Sequence, residues 1–316
     1  MKTDKVDFVS VIVMVKDPQI PTLEYCLKSI FNSEGKKEVI IVTPHPDSLS
    51  YLTKKFKGLK LVKDPGCGIG IARNTGITVA KSEYVCFVDP DAIVGRKHFK
   101  QIMEIFNSDD RIGLIDVHTL MDVEKMELFG KLQRLELLLW KKGRFMQKVK
   151  EKDIIFVGGT FMALRKSAWK KVKGFWEWPP YGADDLDFSF RVFKAGYKVA
   201  RVFVEGSFHF PRYSLIELFK EQYGWGKGYA YLWLKYRSEP MYWRLMEYEQ
   251  IFYKSFPENF YCIIPVIRFL LAPLGGLIHA LKFREMSLLP YWTFRRYAFL
   301  LGFLTGLMNW KNKKKK

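Results

Sequence analysis

The sequence predicts an α/β fold, a mostly parallel sheet with helices on both faces, followed by a separate α-helical region. Three observations predict it. Short β-branched runs alternate with helical patterns from Val9 to Val88, the order that builds βαβ units and a parallel sheet. Glycines and prolines punctuate the chain where these runs end. After Asn259 the alternation stops and apolar blocks with basic flanks replace it.

Taken in order, Val9-Ser10-Val11-Ile12-Val13-Met14-Val15 reads as a buried first strand. Pro21 to Ser33 places Leu23, Leu27, Ile30 and Phe31 on one helical face, and Glu38 to Val42 is a second strand stopped by Thr43-Pro44-His45-Pro46. Leu49 to Phe56 is a short helix and Leu59 to Val62 a third strand. Gly68 to Ala80 is a glycine-rich turn and helix that feeds the apolar run Tyr84 to Val88. Glu124 to Lys150 is an amphipathic helix or helix pair, with Met126, Phe129, Leu132 and Leu135 at helical spacing and Lys131, Arg134 and Lys141 opposite. Ile154 to Leu164 reads as a strand containing Gly158-Gly159-Thr160, where glycine signals close approach by another backbone or a ligand. Phe188 to Ala195 is a helix closed by Gly196.

Composition narrows the partners. The 316 residues suffice for a large α/β domain and an appendage, and 48% hydrophobic residues exclude a disordered chain. The 52 Lys+Arg against 33 Asp+Glu give a net charge of +19, which suits nucleic acid, an anionic membrane surface or phosphorylated substrates. The sequence holds no zinc-finger spacing and no RNP-like strand, so nucleic acid is not expected. Cys26, Cys67, Cys86 and Cys262 are scattered and read as structural thiols in a reducing compartment. Met1 to Lys5 leads straight into a strand without the apolar core of a signal peptide.

Asn259 to Leu281 is interrupted by Pro265, Arg268 and Pro273, and Leu288 to Trp310 by Arg295-Arg296. Neither offers the ~20 uninterrupted apolar residues that span a bilayer cleanly, and a charge at the bilayer centre is costly. Interfacial or re-entrant helices are therefore expected, with a buried soluble pair as the alternative. The tail Lys311 to Lys316 would lie against anionic headgroups on the cytoplasmic face of a membrane. The expected division is a domain over 1–235 and a membrane-associated helical region over 236–316.

The chemistry concentrates at a few places. Asp89-Pro90-Asp91 ends an apolar strand, and so sets two hard oxygen donors at the carboxyl edge of the sheet, where open α/β sheets bind ligands. Such carboxylates suit Mg²⁺ or Mn²⁺ held between protein and phosphate, although Asp-Pro-Asp is also ordinary turn chemistry. Gly68-Ile69-Gly70-Ile71-Ala72-Arg73-Asn74 opens a helix whose amino terminus and arginine attract phosphate. Asp184, Asp185 and Asp187 crowd one turn; a helix cap explains one of them, and a carboxylate near a bound diphosphate can act as a general base. His209 ends another apolar run, where a histidine is either structural or a ligand. Gln222-Tyr223-Gly224-Trp225-Gly226-Lys227-Gly228 has the composition of a flexible loop that covers phosphates or a sugar.

The order of these motifs resembles family 2 glycosyltransferases of the GT-A fold. The resemblance rests on the Val-rich first strand, Gly-x-x-x-Ala-Arg-Asn-x-Gly, the strand ending Asp-x-Asp, Gly158-Gly159 through Arg165, and Asp184-Asp185-Leu186-Asp187-Phe188 through Gly196-Tyr197, over residues 8 to 230. It implies an inverting transfer of a single sugar from a nucleotide-diphosphate sugar to a lipid-linked or surface-glycan acceptor. In that reading Asp89 and Asp91, with His209, hold Mg²⁺ or Mn²⁺, Asp185 is the base and Asp184 its neighbour. Arg73, Gly68, Val15, Lys16, Asp17 and Asp89 contact the donor, while Gly159, Thr160, Trp225 and Lys227 serve the acceptor side or a closing loop. Two positions depart from the family: the first strand leads into Met14-Val15-Lys16-Asp17, and the second ends in Thr43-Pro44 instead of an acidic residue. The 222–228 stretch lacks the Gln-x-x-Arg-Trp of processive synthases, which favours single-sugar transfer. A nucleotidyltransferase of similar sheet, or an inactive nucleotide- or glycan-binding module, are the rival readings.

Overall fold

Strands at the centre of the sheet are mostly apolar and buried on both sides, so both faces must be covered. In the computed structural model they are. The structure describes residues 8–118, 128, 130–133, 135, 156–176, 182–210, 214–236, 238–239, 267 and 269–313. The expected helix over Glu124 to Lys150 falls largely outside them. Two compact units emerge, one comprising 1–121, 150–180 and 184–210, the other 122–149, 181–183 and 211–316.

The first unit holds a seven-stranded sheet. Its strands are β1 (Phe8–Met14), β2 (Lys36–Thr43), β3 (Leu59–Lys63), β4 (Tyr84–Val88), β6 (Ile112–His118), β7 (Met162–Arg165) and β8 (Lys198–Phe203), in the order β3-β2-β1-β4-β7-β6-β8. Neighbours are parallel except β7, which runs antiparallel to both β4 and β6. Ile154 and Ile155 of the expected strand lie outside the described residues; among those described, Gly159–Phe161 form a 3₁₀ turn and the strand begins at Met162.

Alternation along β1 sorts the two faces. Val9, Val11 and Val13 pack with α1 (Leu23–Asn32) through Leu23, Leu27 and Ile30, and with α4 (His98–Ser108) through Phe99, Ile102 and Phe106. Ile12 points the other way, against α3 (Ile69–Val79); a side chain at Gly76 would collide with Ile12, so this glycine lets the helix lie close to the strand. The short helices α2 (Tyr51–Lys55) and α5 (Lys166–Lys171) complete the connections. Next, α6 begins at Asp184 itself and runs to Lys194, so the acids expected in a preceding turn form the first helical turn. Two-residue strands β5 (Ala92–Ile93) and β9 (Phe208–His209) pair antiparallel beside the main sheet.

The second unit is helical: α7 (Leu215–Tyr236), α8 (Ala272–Phe283) and α9 (Leu288–Lys313). The stretch 222–228 is not a loop but the middle of α7. Its glycines serve packing. A side chain at Gly226 would overlap the Phe299 carbonyl, and one at Gly302 the Tyr223 carbonyl, so small residues on both helices let the α7 and α9 backbones meet. Arg295-Arg296 does not break α9 either. Each guanidinium lies across an aromatic ring one turn earlier, Tyr291 at 5.7 Å and Trp292 at 4.6 Å, which shelters the charge on the helix surface.

Candidate active site

The parallel strands β1 and β4 end side by side, with Val13 opposite Val88. Asp89-Pro90-Asp91 therefore leaves the sheet next to Val15-Lys16-Asp17. Val15 is buried and its N–H bonds the Val42 carbonyl, whereas Lys16 and Asp17 are exposed, the Asp17 side chain accepting from the Gln19 N–H at 2.9 Å.

The Asp-Pro-Asp turn is pinned by its own backbone. The Asp89 N–H donates to the Thr160 carbonyl at 3.1 Å, the Thr22 hydroxyl to the Pro90 carbonyl at 3.0 Å, and the Phe210 N–H to the Asp91 carbonyl at 2.9 Å. Pairing of β5 with β9 puts Ala92 opposite His209 and so delivers the imidazole to the turn. His209 Nε2 lies 3.1 Å from Asp91 Oδ1, and ligand atoms of Asp89, Asp91 and His209 all lie within 4.8 Å of one another. Burial, and then the neighbouring Asp91 charge, push the Asp89 carboxyl above its ordinary range. Two carboxylates crowded on an imidazole, with their mutual repulsion incompletely offset, fit a hard divalent cation.

The α6 acids divide by partner. Asp184 is buried on Arg73, Nη1 to Oδ2 at 2.5 Å. Asp187 pairs with Arg191 at 2.8 Å, and Arg191 also donates to the Val172 and Gly174 carbonyls, tying α6 to that turn. Asp185 has no ion pair among the described residues; its oxygens accept from the Leu186 N–H at 2.8 Å and the Gly159 N–H at 3.0 Å. Burial, then the adjacent Asp184 charge, raise its pKa to about 6, against the opposing pull of Arg73.

Arg73 itself is 3% exposed, set between the rings of Phe87 and Phe175 at 5.2 and 5.3 Å. It is turned toward Asp184, not outward to a ligand. Asn74 is structural, its side chain bonding the Phe175 N–H, the Phe175 carbonyl and the Trp169 indole at 2.7–2.8 Å. Arg165 is structural too, closing the Ile112 and Phe106 carbonyls.

The turn Gly159-Thr160 joins the two acidic groups. Gly159 holds Asp185 through its N–H, and any side chain there would strike the Arg73 guanidinium. Thr160 holds Asp89 through its carbonyl and its hydroxyl. Gly68, with φ +115°, starts α3 in a conformation that favours glycine.

The sequence model of glycosyl transferase family 2 matches residues 10–173, about half the chain. The chain belongs to glycosyl transferase family 2. The matched stretch includes Arg73, Asp89, Asp91, Gly159 and Thr160, and ends before α6 and His209. No curated protein matches this glycosyltransferase by sequence. Among solved structures it is similar to the mannosyltransferase PcManGT from Pyrobaculum calidifontis in complex with GDP-Man and Mn²⁺: 16% identity, TM-score 0.62, 95% of this chain and 87% of the other covered. TarS 1-349 of S. aureus matches more distantly, at 13% identity and TM-score 0.47, with 90% of each chain covered. The PcManGT likeness establishes the GT-A fold for this family 2 glycosyltransferase.

Trp225 and Lys227 lie on α7 in the helical unit. Trp225 is 43% exposed, and a side chain at the left-handed Gly182 would crowd its ring. Sequence reasoning missed α4 and the β5/β9 pair. Phe99, Ile102, Met103 and Phe106 at helical spacing mark the first; a two-residue strand leaves no periodic signal.

Proposed function

We propose that the protein is an inverting, divalent-metal-dependent glycosyltransferase that transfers one sugar from a nucleotide-diphosphate sugar to a hydroxyl of a lipid-linked or surface-glycan acceptor, in association with the cytoplasmic face of a membrane. The observation that carries it is Asp185: a carboxylate held by two backbone N–H groups, with no ion pair among the described residues, and raised to about 6. A base so poised is mostly ionised at neutral pH yet retains affinity for a proton.

Asp185 takes the proton of the acceptor hydroxyl. The freed oxygen pair forms the new bond to the anomeric carbon as the bond from that carbon to the diphosphate oxygen breaks, with inversion, and the nucleoside diphosphate leaves with the electron pair. Asp89, Asp91 and His209 would hold the Mg²⁺ or Mn²⁺, which when bound supplies positive charge to the departing diphosphate. Arg73 acts through Asp184, fixing the first turn of α6 and tempering the charge beside the base. Val15, Lys16, Asp17 and Gly68 remain the donor-side residues, and Trp225 and Lys227 acceptor-side ones. The PcManGT complex, with GDP-Man and Mn²⁺, supports this class of donor and metal.

A screen of uridine, guanosine and thymidine diphosphate sugars with Mn²⁺ or Mg²⁺ tests the reading, scored by nucleoside diphosphate release and by thermal shift. Release with one donor, abolished by chelation, is expected. Silence with every donor in both measurements would sink it.

A further inference from the structure

Helix α8 is apolar apart from His279 and Lys282. Ala272, Gly276 and Ala280 form its buried, small-residue face, Gly276 lying against the Leu289 backbone of α9. On the opposite side Leu270, Leu274, Leu277, Ile278 and Leu281 recur at helical spacing and stay 38–68% exposed. On α9 the set Tyr297, Leu301, Leu304 and Met308, again on one helical face, is exposed as well. The rings of Tyr297 and Phe269 meet at 4.4 Å, so this second stripe begins beside the start of the first. A contiguous aliphatic surface of this extent marks an interaction site.

Its borders say which kind. Lys282 and Arg284 are exposed at the carboxyl end of α8, and α9 runs into Lys311, Lys313 and three further lysines. Between residues 269 and 313 the single acid is Glu285, and it is bonded to Lys131 at 2.8 Å. An aliphatic face edged with lysine and stripped of acid suits an anionic lipid surface. Protein interfaces instead favour Tyr, Trp and Arg over lysine, and a second copy would press like charges together. No described helix is long and apolar enough to cross a bilayer.

We propose that α8 and the second half of α9 form an in-plane membrane-docking face, Leu270 to Leu281 and Leu301 to Met308 entering the acyl boundary while Lys282, Arg284 and the terminal lysines contact anionic headgroups. The inference deepens the lipid-linked acceptor reading and, in its purpose, rests on it.

Flotation of the full chain with vesicles tests it. The wild type should float with phosphatidylcholine vesicles containing about one-third phosphatidylglycerol and far less with phosphatidylcholine alone. Leu274→Glu/Ile278→Glu/Leu281→Glu should cut flotation by about tenfold or more at an unchanged melting temperature. Lys282→Glu/Arg284→Glu, which leaves the helix core untouched, should lose the preference for anionic vesicles. Wild-type-like flotation of the triple variant overturns the proposal, as does its conversion of a wild-type dimer to monomer with flotation unchanged. Donor turnover in vesicle-free solution is measured alongside: turnover without wild-type flotation sinks the docking face, and flotation without turnover sinks the transfer reading instead.

Discussion

The end of β4 and the start of α6 each crowd carboxylates, but they neutralise them in opposite ways. At α6 the chain supplies its own cations: Arg73 for Asp184 and Arg191 for Asp187, leaving Asp185 to two backbone N–H groups. At β4 the Asp91 carboxylate lies 3.1 Å from the His209 imidazole, and burial and the Asp91 charge push Asp89 above its ordinary range. A self-neutralised cluster with one acid to spare is built to exchange a proton. Two carboxylates and an imidazole whose ligand atoms lie within 4.8 Å of one another fit a cation from outside. The fold commits Arg73 and Arg191 to the α6 acids.

The strongest way to break the comparison is to remove the spare acid. Asp185→Asn should lower kcat by about 10²–10⁴-fold, the contribution of a general base, while nucleoside diphosphate and Mn²⁺ still raise the melting temperature. In the wild type kcat/KM should climb as pH rises through about 6 and then level. The sign for stability is opposite. Asp185 titrates higher when folded than the ordinary ~4 of an unfolded aspartate, so the folded state binds the extra proton and loses stability as pH rises from ~4 to about 6. Asp185→Asn should flatten that decline. A variant with both the acid limb and the decline intact would assign the titration elsewhere.

On the other side of the comparison, Asp91→Asn should cost about 10²–10³-fold in turnover, with added Mn²⁺ recovering part of the loss and the acid limb near 6 unmoved. A shifted limb would mean that the two clusters titrate as one. Arg73→Met tests the division itself. It strands a buried Asp184 and should destabilise the fold by about 3–5 kcal/mol in denaturant unfolding. It also removes the cation that restrains the Asp185 pKa, so the acid limb should move to higher pH. Arg73→Lys should restore part of both effects.

The sheet was readable because β1, β2 and β4 carry continuous apolar runs bounded by turn residues, and the carboxylate pair because it closes one of those runs. The local structure at 222–228 departs from the expected loop because glycine means two things. In a loop it confers left-handed freedom; in α7 it removes a Cβ so that α9 can approach, a tertiary fact that composition does not carry. Arg73 shows the same limit. An arginine at a helix start reads as a phosphate contact, and only the packing of Phe87, Phe175 and Asp184 around it reveals the inward turn.

The mildest perturbation sharpens the comparison most, because it touches the one turn that serves both clusters. The Thr160 hydroxyl bonds the Asp89 carboxylate, while its neighbour Gly159 holds Asp185 by a backbone N–H that no side-chain change at 160 removes. Thr160→Val keeps the shape and deletes the hydroxyl. An outer partner of a metal-binding carboxylate typically costs about 10–100-fold in metal affinity when lost, so Mn²⁺ titration of the variant by calorimetry should show that weakening. At saturating Mn²⁺, kcat and its acid limb should stay at wild-type values, since the base keeps both of its N–H donors. If the limb moves with Thr160, the turn transmits charge between the clusters instead of merely holding each in place.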